Sequence, residues 1–304
     1  MSRFAEEPAL FLTGLWRDSL IHERVFGGYV FFTLIRLIRA GFPSPHVLLY
    51  IGALALIAGG VCLTRLRASD RAWRARLAVY PVLMYILFVN MRWVSPLINS
   101  GKRDALLWAA DKSITGGSLS MMMEPLISPP LTEFMSFCYM FFMVYLFISI
   151  CTWLFSPVPL ARIFYAGLFS LYGIGYFGYT LIPAVGPYIA YAPEFKTPLT
   201  GYFMTDFLAA AYPFGTNFTD IFPSLHCAVT LYMLIFDMKR NRRRFWICLI
   251  PSLGLMLSTI YLRYHYFVDV LAGAVLAVAA LGVVSLEASR EEQSTGLLRF
   301  ARKD

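Results

Sequence analysis

Two histidines and an aspartate stand out in this chain by their company. His265 and Asp269 lie four residues apart, one helical turn, in the run Ser258-Thr-Ile-Tyr-Leu-Arg-Tyr-His-Tyr-Phe-Val-Asp269 at the mouth of an apolar stretch. A carboxylate at that offset can hold an imidazole by one ring nitrogen, fix its tautomer and leave the other nitrogen free as a nucleophile or base. Upstream, Phe222-Pro223-Ser224-Leu225-His226 sets another histidine at the start of another apolar helix. The chain has four histidines, and these two open hydrophobic segments, where an ionisable group costs free energy and so marks a functional candidate. Either one alone reads equally well as an interfacial histidine satisfied by headgroups or a backbone carbonyl. The pair together with Asp269 favours chemistry.

The elements that must position these groups follow from composition. A chain of 304 residues that is 59% hydrophobic, 16% aromatic and 14% charged is an all-α, polytopic integral membrane bundle and excludes a water-soluble domain. The net charge of +8 would suggest nucleic acid in a soluble protein, but here the basic residues collect in short links between apolar segments. That is a topology signal set by cytoplasmic loops and anionic headgroups, and no nucleic-acid partner is expected. Cys62, Cys138, Cys151, Cys227 and Cys248 fall within or beside apolar runs without paired spacing, so they read as inert core residues. The first 25 residues carry Glu6, Glu7, Arg17, Asp18, Glu23 and Arg24 without the order of a cleaved signal peptide.

About seven transmembrane helices are expected, over residues 46–63, 77–98, 131–155, 162–184, 222–238, 246–262 and 266–285. Residues 25–41 end in Arg36 and Arg39 and fit an interfacial or tilted helix. The expected organisation is an N-terminal segment over 1–45, a transmembrane catalytic domain over 46–285 and a cytoplasmic tail over 286–304. Arg65, Arg67, Arg71, Arg74 and Arg76 mark one cytoplasmic loop, and Lys239-Arg240-Asn241-Arg242-Arg243-Arg244 marks the most basic one. Threading outward from the latter brings His226 and His265 to the same, non-cytoplasmic face, together with residues 99–130 and 185–221. Residues 99–130 read as an amphipathic structural loop on the membrane, or as a source of cations (Lys102, Arg103, Lys112) for the site. The stretch 185–221, rich in Pro, Gly, Tyr and Phe, reads as a packed loop that shields it.

Pro223-Ser224-Leu225-His226, followed by Ser258, Thr259, His265 and Asp269, resembles the second and third motifs of the type 2 phosphatidic acid phosphatase superfamily, Pro-Ser-Gly-His and Ser-Arg-x5-His-x3-Asp. Leu225, Thr259 and the run His265-Tyr-Phe-Val-Asp269 look most like the inositol phosphorylceramide synthase branch. The resemblance implies a six-helix phosphatase-type core with N-terminal additions. It implies that His265 attacks phosphorus, that Asp269 steadies its imidazole, and that His226 serves as general acid and then base. It further implies a phosphohistidine intermediate, phosphate contacts from Ser224 and helix amides, and no metal or other cofactor. The family's Lys-x6-Arg-Pro motif has no counterpart near Pro187, and Thr259 stands where the family has arginine. Arg263, helped by Lys102, Arg103 or Lys112, is the expected substitute clamp, each with the alternative of a headgroup contact. The implied substrate is a phospholipid or other lipid phosphate in the bilayer. The implied function is transfer to a lipid alcohol; hydrolysis by the same site and a noncatalytic lipid-binding protein stay open as alternatives.

Overall fold

A computed structural model describes residues 13–41 and 45–301, with side chains to residue 292; residues 1–12 (with Glu6 and Glu7), 42–44 and 302–304 lie outside the described residues. The described residues contain no strand. The principal helices are α1 (Ile21–Arg39), α2 (Pro45–Leu66), α3 (Asp70–Ile98), α4 (Asp104–Thr115), α5 (Pro129–Leu154), α6 (Val158–Leu181), α7 (Phe203–Gly215), α8 (Leu225–Arg240), α9 (Arg242–Tyr261) and α10 (Phe267–Ala301).

Six of these, α2, α3, α5, α6, α9 and α10, are long and apolar enough to cross a membrane. The protein is therefore a multi-pass helical membrane protein. The sequence leads one to expect a seventh span over 222–238, but α8 has only 16 residues, about 24 Å at a rise of roughly 1.5 Å per residue. The difference has a local cause: Pro223 and Ser224 stay outside the helix as its entry and cap.

The chain packs as two compact units. The first gathers the chain up to Ile86, Cys151–Ile174 and the chain from Ala280; the second comprises Leu87–Ile150 and Gly175–Ala279. In the first unit, α1 buries His22, Glu23, Phe26, Tyr29, Val30, Thr33, Leu34 and Leu37, a three-four repeat that makes one face. That face packs on α2, with the Tyr29 and Tyr50 hydroxyls 3.1 Å apart. The basic loop expected over 65–76 is mostly helix, because only residues 67–69 separate α2 from α3. Arg76 is turned inward, 2% exposed, onto Glu23 and the Thr64 hydroxyl. The tail expected from residue 286 continues instead as helix, held where Arg162 meets Glu287 at 3.4 Å and Glu291 at 2.8 Å.

In the second unit the basic loop expected over 239–244 contracts to Asn241. Its amide donates to the Asp237 carbonyl (2.7 Å), closing α8, and its side-chain oxygen accepts from the Arg244 amide (3.2 Å), opening α9. Arg244 folds back on buried Asp237, which also accepts from the Tyr145 hydroxyl at 2.7 Å. Two glycines let neighbouring helices close on the entry to α8. A Cβ at Gly178 would sit 2.5 Å from Pro223 Cδ, and one at Gly273 would sit 2.5 Å from the Ser224 carbonyl oxygen. Any larger residue there forces the backbone of the site to move.

Candidate active site

The site is assembled by two short backbone devices. His265 lies in the turn between α9 and α10, where the His265 and Tyr264 amides both donate to the Thr259 carbonyl, at 2.9 and 3.0 Å. Arg263, just before it, has φ of 66°, a left-handed conformation that costs a non-glycine residue about 1 kcal/mol or more. Its carbonyl is held by the Tyr188 amide at 2.7 Å. At the second device Ser224 caps α8, accepting from the Cys227 amide at 3.4 Å, while its own amide donates to the Asp269 carbonyl at 3.1 Å. The start of α8 is thereby tied to the start of α10.

The consequence is that His226 and His265, 39 residues apart in sequence, face each other with Nδ1 and Nε2 separated by 3.4 Å. On the far side of the ring, His265 Nδ1 lies 3.5 Å from Asp269 Oδ2. That contact is at the edge of hydrogen-bond distance and is not aligned: His265 Nδ1 and Asp269 Oδ1 are buried without a hydrogen-bond partner. Asp269 Oδ2 instead accepts from the Tyr266 amide at 2.8 Å. Burial pushes the His265 imidazole down to about 4, with the charge of Asp220 opposing, so the ring is neutral and its lone pair available at physiological pH. The rings of Tyr139 and Phe142 flank His226 at 4.9 and 4.7 Å. Tyr212 stacks on Tyr264 at 4.4 Å, so α7 of the 185–221 stretch helps wall the site.

Three acids in this region escape a reading of motifs. Asp111 accepts from the Phe267 and Val268 amides, 2.8 Å each, and so caps α10 from another element. Asp104 accepts from the Gly186 amide and the Tyr266 hydroxyl, both at 2.9 Å. Asp220 is buried, accepts from the Thr216 hydroxyl at 2.7 Å, and is pushed above the usual carboxylate range by that burial. A signal did exist for the first two: α4 buries Asp104, Leu107, Trp108 and Asp111, a helical stripe that places both carboxylates on the same inward face as a tryptophan. Their partners are single backbone amides and a distant phenol, which no spacing rule finds.

The cations sit differently. Arg263 donates to the Thr197 carbonyl (2.6 Å) and Glu124 (3.2 Å) and lies over the Phe195 ring at 4.1 Å, tying its turn to the 185–221 stretch. The Lys102 ammonium donates to the Phe218 carbonyl at 2.7 Å; burial lowers its pKa, opposed by Asp104 and Asp220. Arg103 and Lys112 are exposed, and Lys112 lies over the Trp108 ring at 5.6 Å. Thr259 bonds back to the Met256 carbonyl at 2.8 Å. Asn217, within a glycosylation-like triplet, is 1% exposed and accepts from the Thr219 amide and hydroxyl, so it is packed as a turn residue.

Among known proteins, the family model of the PAP2 superfamily matches residues 109–283, from α4 through both histidines and into α10. No curated protein and no solved structure matches the chain. The match covers more than half of the chain and supports a lipid phosphatase or phosphotransferase type of function, with a lipid phosphate as a plausible substrate. With two histidines and an aspartate converging inside the matched region, the chain belongs to the PAP2 superfamily.

Proposed function

We propose that this protein is a membrane lipid phosphotransferase, similar to inositol phosphorylceramide synthases, which moves a phosphoryl or phosphoalcohol headgroup between lipids through a phosphohistidine. The observation that carries the reading is the facing pair of imidazoles, 3.4 Å apart, with Asp269 behind one of them.

His265 Nε2 attacks phosphorus, forming a P–N bond as the bond to the departing alkoxide breaks. His226, held protonated by the negative charge of the bound phosphate, gives that alkoxide its proton and is left neutral. The neutral His226 then takes a proton from the acceptor hydroxyl, whose oxygen attacks phosphorus and releases His265. A ring turn that aligns His265 Nδ1 with Asp269 lets the carboxylate stabilise the cationic phosphoimidazole. Phosphate oxygens are met by the Leu225 and His226 amides at the start of α8 and by the Ser224 hydroxyl. Arg263 and Lys102 add positive charge near that end, and Arg103 and Lys112 contribute from the exposed face of the same region. Walls of tyrosine and phenylalanine around His226 support a lipid hydroxyl over water as acceptor. The positive-inside pattern supports a site on the non-cytoplasmic face.

The test is mass spectrometry of products after incubating purified protein, beside a His265→Ala control, with a mixture of phosphatidylinositol, phosphatidic acid and ceramide. A new headgroup-bearing lipid absent from the control is the expected result. Free phosphate without a new phospholipid would retire transfer in favour of hydrolysis, and no turnover with any phospholipid donor would retire both.

A further inference from the structure

A second feature of the molecule shares no residue with the histidine site. A cavity of about 720 Å³ opens in the first unit where the residues ahead of α1 meet the α2–α3 junction, the start of α6 and the end of α10. Six arginines line it: Arg17, Arg24, Arg65, Arg76, Arg162 and Arg290. Asp18 and Glu287 line it too, and Glu23 and Glu291 back it, so six guanidiniums meet four carboxylates. Two positive charges are left over.

The excess is located. Arg65 pairs with Asp18 at 3.0 Å, exposed Arg17 reaches the same carboxylate at 3.6 Å, Arg76 pairs with Glu23, and Arg162 with Glu287 and Glu291. Arg24 makes no ion pair within 4 Å among the described residues, Glu287 and Glu23 acting on it only at longer range. Its guanidinium donates to the Trp16 carbonyl (2.7 Å), the Ser19 carbonyl (3.2 Å) and the Ser19 hydroxyl (2.9 Å). Arg290, half exposed, reaches Glu287 only at 3.9 Å. Arg162 Nε is a buried donor without a partner. Aromatic rings complete the setting. Trp73 lies against both Arg76 and Arg162, at 4.7 and 4.4 Å, and Trp16, 63% exposed, lies under Arg24 at 4.8 Å. Guanidiniums held over indoles keep N–H groups in place for an oxyanion. Tryptophan beside arginine at helix ends is the composition of a membrane interface, and basic pockets between membrane helices take anionic headgroups. The volume suits a headgroup.

We propose that this arginine cavity is a binding site for a phosphate-bearing anion, the headgroup of an anionic phospholipid, held by Arg24 and Arg290 with the unpartnered edge of Arg162. The same phosphate chemistry is offered by a soluble phosphate ester, and the experiment separates the two sources.

Full-length protein in phosphatidylcholine nanodiscs is titrated with dioctanoyl phosphatidylglycerol in one arm and with glycerol 3-phosphate in the other. Bound adducts are counted by native mass spectrometry. Wild type, the double variant Arg24→Gln/Arg290→Gln and the double variant Arg24→Lys/Arg290→Lys are compared. Removing two cations at a membrane surface should weaken lipid binding roughly thirtyfold, while the lysine variant keeps most of it. Arg-dependent binding in the lipid arm alone assigns a lipid; in both arms it assigns the phosphate group itself. Binding unchanged in the glutamine variant overturns the site. Retained binding by the lysine variant, with an unshifted melting temperature, separates lost charge from lost fold.

Discussion

The histidine site and the arginine cavity use ionisable groups in opposite ways. Around His265 there is little charge, and the acids are spent on backbone: Asp111 on two amides of α10, Asp104 on amides of the 183–187 stretch and a phenol, Asp269 on the Tyr266 amide. Two atoms behind the facing imidazoles are left under-satisfied, with His265 Nδ1 and Asp269 Oδ1 buried and unbonded. In the arginine cavity charge is dense and mostly answered by opposite charge, as in Arg76 with Glu23 and Arg162 with Glu287 and Glu291. The lesson is that charge density does not mark chemistry in this fold. The proposed chemistry falls instead on polar atoms held in place by neighbours that leave them unbonded, and charge density marks either cohesion or a place for an anion.

The comparison can be broken in several ways, and the largest effect is expected at the nucleophile. His265→Ala should lower turnover by at least about four orders of magnitude and abolish acid-labile phosphate on the protein, without moving the melting temperature by more than a degree or two. Residual transfer within tenfold of wild type would remove His265 from the chemistry. In the first unit, Glu23→Ala strips a buried arginine of its partner, for which about 3–5 kcal/mol of stability is lost. Thermal unfolding in detergent should show it, while the specific activity of protein kept folded in the cold is unchanged. A melting temperature equal to wild type would mean that water reaches Arg76.

A smaller effect is expected at Asp111→Ala, which uncaps two amides at about 1–3 kcal/mol and loosens the turn that carries His265 and Asp269. As a positioning residue it should lower kcat by on the order of tenfold to a hundredfold with little change in KM, and Asp111→Asn, which keeps one acceptor, should recover part of it. Equal kcat in wild type and Asp111→Ala would make the cap irrelevant to chemistry. The smallest change is expected from pH. Burial lowers the pKa of His265 from 6.5 to about 4. Its imidazole should therefore stay neutral from pH 7 to about 5 and take up a proton only as pH drops towards 4, read from the 15N shifts of labelled histidine. A solvated histidine would titrate near 6.5, and that outcome would mean the ring is wet.

Much of the fold was legible in the chain because runs of apolar residues long enough to span a bilayer have few other solutions: α2, α3, α5, α6, α9 and α10 all lie on segments that composition marks. The histidines, their order and the four-residue step to Asp269 were legible because they are local. The basic runs form shorter links than their length in sequence, because helices absorb them. Arg71, Arg74 and Arg76 belong to α3, where Arg76 meets Glu23 of α1, and Arg244 belongs to α9 and folds onto Asp237, since a buried carboxylate competes with solvent for a guanidinium.

What the sequence determined by itself is that the protein is a membrane bundle with two histidines and an aspartate at helix starts, because hydropathy and helical spacing are properties of neighbours along the chain. Only the tertiary structure decided that His226 meets His265, that Asp111 caps α10 while Asp104 takes the Tyr266 hydroxyl, and that six arginines distant in sequence line one cavity. Each of these depends on which distant backbone amide or side chain packing brings within about 3 Å, a distance that no spacing in sequence encodes.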